Sequence, residues 1–282
     1  MISFSTPRIA APRTVAGVTL SQALALVLPA VAVAWSAPLQ FVALFLVACG
    51  VALAWEVLFC LVRKRGFSFH GITTALIVTI LCPPDLAYWQ LILAISLGVV
   101  LAEQVFGGRG FGFLSPATVV LSLLMISFPQ VELPIPGAML GLATVPGAVL
   151  LLLMGLVCWR VMLGAGVAAG VLLSIGGPPN DPGTVAATLA FGLVFLVCDP
   201  TASSTTRAGR WLYGVLAGGL FVNFSQGAIL PFEAMVFAAL LASIFAPMLD
   251  RLVILAHAYR RHGGNKRGGK RRAGNKGGGR HA

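Results

Sequence analysis

GITTALIVTILCPPD (residues 71–85) and FGLVFLVCDPTASSTTRAGRWLYG (residues 191–214) are two short apolar runs, each closed by a cysteine and a turn that contains proline. Cys82 and Cys198 lie 116 residues apart, and a pair of glycines further along the chain repeats the same offset. A constant offset between separate landmarks is typical of an internal duplication. We therefore interpret the two stretches as one structural element that the chain uses twice.

The composition indicates a membrane protein. Hydrophobic residues make up 58% of the chain and charged residues only 10%, whereas an ordinary soluble domain carries about 25% charged residues. Several apolar runs reach the length of about 20 residues that a helix needs to cross a bilayer. They are continuously apolar, without the alternation of barrel strands. The sequence predicts an all-α polytopic membrane protein.

We predict ten membrane-spanning helices from these runs. Lys and Arg lie in or at the edge of the even-numbered connections and at both termini, and the odd-numbered connections carry none. The positive-inside rule then predicts that both termini are cytoplasmic. Because five is an odd number, two repeats of five helices would be inverted relative to each other. The predicted helices are 15–35, 39–62, 71–83, 87–106, 114–129, 145–163, 165–176, 183–198, 211–224 and 231–249.

The chain is predicted to have three regions. A cytoplasmic segment, 1–14, precedes a membrane domain, 15–256, whose repeats cover about 15–130 and 131–250. Nine of the 19 Lys and Arg residues lie after Tyr259, in a Gly-rich stretch that cannot form a core. We predict that residues 257–282 are a disordered tail, which contacts anionic lipid headgroups rather than nucleic acid.

Three carboxylates lie within predicted helices or at their ends: Glu56, Glu103 and Glu233. A charge inside a bilayer costs several kcal/mol unless it is paired or hydrated, so each is a candidate for function. We interpret Glu56 as a partner of Arg63 and Glu103 as a partner of Arg109. Glu233 suits the first turn of a helix, and its role stays open.

His70 and two cysteines are further candidates. A histidine can carry a proton near neutral pH, but His70 directly precedes an apolar run and is interpreted as a polar end group. Cys82 and Cys198 could approach each other across a pseudo-twofold axis and hold part of a metal cluster. No further ligands accompany them, so we predict no metal site. The cysteines form no C-x-x-C pair and suggest no disulfide framework.

The segment from Asp199 to Arg210 is rich in Ser and Thr. One interpretation is structural: Asp199 and Thr201 bond to backbone amides, and the following hydroxyls cap a helix that begins near Trp211. The alternative is a cradle for a flavin or a phosphate, completed by Arg210. The chemistry of the residues favours the cap.

Several motifs in order resemble one family, the RnfD/NqrB family of membrane subunits of electron-transport complexes. The resemblance covers about residues 5–255 and is most specific in the DP-x-(S/T) signature and its continuation to YG. The matching stretches are WEVLFCLVRKR (55–65), TTAL followed by two prolines (73–84), FGGRGFGFLSPA (106–117), IPGAM (135–139) and CDPTASSTTRAGRWLYG (198–214).

The resemblance implies a ten-helix subunit of the bacterial inner membrane that works with other membrane subunits. Its expected role is flavin-mediated electron transfer coupled to movement of Na⁺ or H⁺, as a redox or non-catalytic subunit rather than a free-standing enzyme. A non-covalent flavin, FMN or riboflavin, is the cofactor that it implies. The family motif positions that would line the flavin or ion path are Thr73, Thr74, Pro84, Ser115, Pro116, Asp199, Pro200, Thr206, Gly209 and Arg210.

The chain also departs from the family pattern. Family members carry a D-G-x-S-G-A-T loop whose threonine is joined to FMN, but here only residues 129–134 occupy that interval. Covalent FMN is therefore not expected. Ser115 stands where the family motif has asparagine, and Glu103 where lysine is common. A small-solute transporter or channel on the same scaffold, or a scaffold that has lost its cofactor, remains an alternative.

Overall fold

The computed structural model describes residues 15–64, 67–135, 137–176, 181–227 and 230–274. Within these ranges the chain forms ten α-helices and no strand, which confirms the all-helical fold class. Two of the helices continue into a π-helical turn: α4 into Val100–Gln104 and α8 into Leu193–Val197. The helices are α1 Val15–Ala34, α2 Pro38–Arg63, α3 His70–Leu81, α4 Tyr88–Val99, α5 Pro116–Ser127, α6 Ala138–Leu153, α7 Trp159–Gly176, α8 Pro182–Gly192, α9 Arg207–Ser225 and α10 Pro231–Gly274.

The predicted boundary between the sixth and seventh helices is wrong. The prediction placed one helix over 145–163, but α6 ends at Leu153 and α7 begins at Trp159. Gly155 adopts a φ of 70° in the break, a left-handed conformation that glycine takes without steric cost. Pro146 lies inside α6 and does not begin it.

The last helix is longer than predicted. α10 continues to Gly274, so it runs into the stretch that the sequence predicts as a disordered tail. The chain has no proline after Pro247 to interrupt it. Residues 275–282 and the predicted N-terminal segment 1–14 lie outside the described residues.

The helices identify a multi-pass membrane protein. Four of them are long and apolar enough to cross a bilayer, at Gly17–Ala34, Pro38–Arg63, Trp159–Gly176 and Pro231–Tyr259. Other apolar helices are shorter. The 12-residue α3 covers about 18 Å at 1.5 Å per residue, less than the hydrocarbon thickness of about 30 Å. Ten of its twelve residues are buried by the surrounding helices, which shelter its short ends from lipid.

Several helix contacts repeat with an offset of five, although the packing of α2 on α3 has no equally strong counterpart between α7 and α8. α1 packs on α3 as α6 packs on α8, and α2 packs on α4 as α7 packs on α9. Likewise α3 packs on α5 as α8 packs on α10, and α4 packs on α5 as α9 packs on α10. The halves meet where α1 packs on α6 and α5 on α10. A five-helix repeat predicts this pattern, and the inverted repeat itself stays a prediction.

The basic, even-numbered connections lie together. Arg63, at the end of α2, donates a hydrogen bond to the carbonyl of Val105 after α4, at 3.4 Å. The rings of Trp159 and Trp211, at the starts of α7 and α9, make an edge-to-face contact with centroids 5.9 Å apart. These contacts join the second connection to the fourth and the sixth to the eighth.

The third, fifth and ninth connections lie together at the other end of the bundle. The Trp89 ring at the start of α4 packs edge-to-face on Phe128 after α5, with centroids 5.2 Å apart. The amide of Leu133, in the fifth connection, donates to the Glu233 carboxylate at the start of α10, at 3.3 Å. Since each helix runs between an even and an odd connection, the described residues form one basic face and an opposite face on which they include no Lys or Arg.

Candidate functional site

A buried polar cluster surrounds His70, the first residue of α3. His70 is 4% exposed, and its Nδ1 lies 2.6 Å from the Thr73 hydroxyl. Its Nε2 lies 3.7 Å from a carboxylate oxygen of Glu103, and its ring contacts the guanidinium of Arg109. The interpretation of His70 as a polar end group is therefore wrong, because a buried imidazole with polar partners on two other elements is part of the interior.

Local backbone geometry brings Glu103 and Arg109 to this histidine. Glu103 lies in the π-helical turn Val100–Gln104, and such turns occur frequently at functional sites. The chain then reverses through Gly107, Gly108 and Gly110, which have φ angles of 114°, 92° and 91°. Glycine is favoured at these values. The reversal returns Arg109 toward the end of the π-helical turn.

Arg109 also ties the cluster to α1. Its Nη2 donates to the side-chain oxygen of Gln22 at 2.6 Å. The cluster thus joins α1, α3, the end of α4 and the connection after it. Contacts between residues 39 and 87 positions apart cannot be found from helical periodicity.

A small cavity lies beside this cluster. Its volume, as the space open to the centre of a water molecule, is about 10 Å³, which is room for about one water. Four predicted site residues line it, so the structure does bring them together. The polar side chains around it are Gln22, His70, Thr73, Thr74, Ser115 and Asp199.

A much wider pocket lies on the other side of the His70–Glu103 pair, at the basic face. Its volume is about 390 Å³, within the range typical of ligand sites. Glu103 and Arg109 line it, and Arg63 and Glu56 lie on its α2 side. Aromatic rings complete the wall, from Phe59, Phe67 and Phe111.

The two predicted carboxylate pairings are wrong. Glu56 accepts hydrogen bonds from the Ser68 amide at 2.7 Å, the Ser68 hydroxyl at 2.5 Å and the Gly71 amide at 3.3 Å. Its carboxylate points inward to amides near the start of α3, which attract negative charge, while Arg63 lies over the Phe59 ring. Glu103 has His70 as its ion-pair neighbour, because Arg109 reaches past it to α1.

Asp199 lies in the turn between α8 and α9. Its carboxylate accepts hydrogen bonds from the amide and the hydroxyl of Thr201, at 3.1 and 3.0 Å. Burial raises the pKa of this carboxyl. The charge of Arg109, the nearby His70 and the Thr201 hydrogen bonds lower the pKa by a larger amount, so it lies below its ordinary value. Asp199 is thus a buried, ionised neighbour of the His70 cluster.

The structural interpretation of the Ser and Thr run is confirmed. Thr206 caps α9, and its hydroxyl accepts from the Gly209 amide at 3.1 Å. The helix begins at Arg207, somewhat earlier than predicted, because the cap lies at Thr206. Arg210 donates to the carbonyl of Ser204 at 3.2 Å.

A carboxylate of the same chain occupies the proposed phosphate cradle. Asp250, on α10, accepts from the Ser204 and Thr206 hydroxyls at 2.5 and 2.6 Å. It also accepts from the Thr205 and Thr206 amides at 2.9 and 3.1 Å. No sequence pattern indicates this partner, which lies more than 40 residues further along the chain.

The predicted site residues therefore fall into separate places. Thr73, Thr74, Ser115 and Asp199 line the small cavity, and Pro116 directly follows one of them. Thr206, Gly209 and Arg210 form the start of α9, with Pro200 in the turn before it, and Pro84 lies beyond the far end of α3. Sequence reasoning missed Gln22, Arg109 and Asp250 as members of these groups. A polar residue within an apolar segment was the available signal.

The two cysteines of the repeated element do not form a joint site. Asp199 lies beside the first turns of α3, whereas Cys82 follows the last residue of that helix. From Thr74 to Cys82 a helix rises about 12 Å. Within the described residues no group of three or more His, Cys, Asp and Glu could hold a metal ion.

Comparison with known proteins gives matches along most of the chain. The sequence model of the NQR2, RnfD, RnfE family matches residues 2–133 and 134–258. The B subunit of Na(+)-translocating NADH-quinone reductase from Klebsiella pneumoniae (strain 342) is 29% identical. The proteins of that name from Ectopseudomonas mendocina (strain ymp) and Pseudomonas aeruginosa (strain LESB58) are 29% and 30% identical. Each alignment covers 73% of this chain and 65% of the relative, so the chain spans less than two thirds of their length.

Proposed function

The chain belongs to the NQR2, RnfD, RnfE family, and on this premise we propose that it is a membrane subunit of an ion-translocating electron-transport complex. The relatives are, by name, subunits of a Na(+)-translocating NADH-quinone reductase. The proposed role is flavin-mediated electron transfer in the bacterial inner membrane, together with other membrane subunits. The chain would position a cofactor and tune it, while the cofactor supplies the redox chemistry.

The wide pocket is the observation that carries this proposal. A flavin combines a planar aromatic ring with a polar ribityl chain, which in FMN ends in a phosphate. The phenylalanine rings of the pocket suit the first part, and Arg63 and Arg109 suit the second, because guanidinium groups bind phosphate well. We propose that FMN or riboflavin binds here without a covalent bond.

Arg63 and Arg109 would also affect the bound flavin electrostatically. When bound, the flavin accepts and donates electrons, and reduction adds negative charge to it. Two fixed guanidinium groups beside the flavin favour that charge. The small cavity has room for about one water, which is too little for a flavin ring. We therefore assign the residues that line it to the ion path and not to flavin binding: Thr73, Thr74, Ser115 and Asp199.

The proposal includes no covalent FMN. The sequence contains no D-G-x-S-G-A-T stretch, and the two segments matched by the family model adjoin at residues 133 and 134. That junction lies in the fifth connection, where the family loop would be placed. In this chain the connection is short, and Leu133 is bonded to Glu233.

We further propose that the basic face is cytoplasmic. The even-numbered connections, which contain or border Arg63, Arg109, Arg160 and Arg207, lie together, and positive residues are retained on the cytoplasmic side. α1 starts at this face, since Gln22 bonds to Arg109. The second half of α10 reaches it too, since Asp250 bonds to the turn before α9. Both termini are accordingly proposed to be cytoplasmic.

Flavin content of two matched arginine variants tests the cofactor. Arg63 lies 5.4 Å from the Phe59 centroid inside the pocket, and Arg160 lies 5.2 Å from the Trp159 centroid outside it. Arg63→Gln should lower the flavin bound per chain several-fold, whereas Arg160→Gln should leave it unchanged. The measurement is absorbance and mass analysis of the chain purified from native membranes. Equal flavin in both variants, or a colourless wild-type protein, would contradict the proposal.

A further inference from the structure

One pair of titratable side chains links the two internal spaces. Glu103 lines the wide pocket and His70 lines the small cavity, and the Nε2 of His70 lies 3.7 Å from the Glu103 carboxylate. Both residues are buried: 4% of the surface of His70 and 6% of the surface of Glu103 are exposed. Arg109 lies at the same boundary, since it lines the wide pocket and contacts His70 and Gln22 of the small cavity.

The charges around the pair do not balance without a proton. Arg109, from the fourth connection, brings one positive charge. Glu103 in the π-helical turn and Asp199 in the turn before α9 each bring one negative charge. On α2, Glu56 is satisfied by Ser68 and Gly71. Arg63 is the positive charge on that side of the pocket. On α1, Gln22 accepts a hydrogen bond from Arg109 and is neutral, so it adds no charge.

An unbalanced buried charge costs several kcal/mol, and such groups take up a proton instead. Imidazole can accept one at Nε2, which faces Glu103 and also contacts the Arg109 guanidinium. The other ring nitrogen already faces the Thr73 hydroxyl at 2.6 Å. The Thr73 hydroxyl donates to the His70 carbonyl at 2.9 Å and lines the cavity. Because a hydroxyl can accept and donate a hydrogen bond at the same time, it connects the ring to the cavity when it turns away from that carbonyl.

We propose that His70 and Glu103 share one exchangeable proton, which enters from the wide pocket and is released to the small cavity. The proton first binds the Glu103 carboxylate and passes to Nε2 of the neutral imidazole. The imidazolium then releases its Nδ1 proton through the Thr73 hydroxyl to a water in the cavity, beside Asp199. One proton enters and one leaves, so the charge of the cluster is restored. This assigns the proton as the ion bound here, and it requires neither bound flavin nor partner subunits.

Infrared difference spectroscopy tests the site on the purified full chain in lipid nanodiscs. The difference between acidic and alkaline buffer should contain one band of a buried protonated carboxyl group, and this band should shift in D₂O. Glu103→Gln should remove the band. His70→Gln should keep it and move its titration midpoint by about one pH unit or more, because a coupled neighbour is lost. Glu132→Gln is the control, since Glu132 is exposed in the fifth connection at the opposite face, and its spectrum should equal that of the wild type.

Three results would overturn the proposal. They are a wild-type spectrum without a titrating carboxyl band, a band that persists in a folded Glu103→Gln protein, and a band that sodium displaces, which would make this a sodium site. Flavin content is measured separately, so a colourless chain that keeps the band refutes the proposed cofactor and leaves the proton site standing.

Discussion

At the scale of single residues, the contact between Asp250 and the start of α9 fixes the geometry of the signature segment. One carboxylate accepts hydrogen bonds from three consecutive residues, 204–206. Negative charge is favourable at the N-terminus of a helix. The arrangement thus locks the last helix to the turn that also carries Asp199.

Gly209 leaves the space that this contact needs. A Cβ atom added at Gly209 would lie 2.6 Å from Oδ1 of Asp250 and closer still to the hydroxyls of Ser204 and Thr206. Gly209→Ala should therefore lower the free energy of unfolding by about 1–3 kcal/mol, as overpacking does. The melting temperature in detergent measures it.

Gly166→Ala is the matched control for this prediction. Gly166 lies in α7, is exposed, and would have nothing within 4 Å of an added Cβ. Alanine there should be neutral or raise stability by up to about 1 kcal/mol. A Gly209→Ala protein as stable as this control would show that the Asp250 contact does not hold the turn.

The site residues show what sequence reasoning could reach. The family motifs predicted four residues that line one cavity, Thr73, Thr74, Ser115 and Asp199. Each of these residues lies in a local turn or near the start of a helix, which a short motif can indicate. His70 was misjudged, since its partners come from distant segments and depend on a π-helical turn and a glycine reversal. Neither changes the apolar pattern from which helices are predicted.

At the scale of elements, α9 packs on α7 through two small residues. Gly214 and Gly218 are four positions apart and so lie on one face of α9. A Cβ at Gly214 would lie 2.5 Å from the carbonyl oxygen of Val161, and one at Gly218 would lie 2.9 Å from the carbonyl carbon of Ala165. The backbones of the two helices are therefore in direct contact, as in small-xxx-small pairs within membranes.

Two neighbouring glycines on α9 test this helix contact. Gly218→Ala should destabilise the protein by about 1–3 kcal/mol, because the backbone of α7 cannot yield as a side chain could. Gly219→Ala should be tolerated, since its added Cβ would meet only the end of the Leu172 side chain, at 3.8 Å. Melting temperatures of both variants give the comparison. Equal loss in both would mean that propensity, not packing, decides the effect.

Helix positions were largely predictable and helix ends less so. Apolar runs bounded by charges or prolines predicted α2 and α3 within two residues, and likewise α8 when its π-helical turn to Val197 is included. The run from 145 to 163 carries no charge before Arg160, so nothing in its hydropathy marked the break at Gly155. A left-handed glycine ends a helix without changing how apolar the segment is.

At the scale of the whole molecule, contacts between connections divide the bundle into two faces. The Arg63 to Val105 hydrogen bond and the Trp159–Trp211 contact lie at the basic face. The Trp89–Phe128 contact lies at the other. All of them join segments that the charge pattern had already assigned to the same side, so charge and packing support the same topology.

Accessibility of two engineered cysteines tests this division. Asp85, in the third connection, and Arg207, at the start of α9, are both exposed. In a background without the native cysteines, Asp85→Cys should react with a membrane-impermeant maleimide added outside intact cells. Arg207→Cys should react only after the cells are opened, because the basic face is proposed to be cytoplasmic. Reaction of both from the outside would place the two connections on one side, and the alternating topology, with the inverted halves that depend on it, would then be wrong.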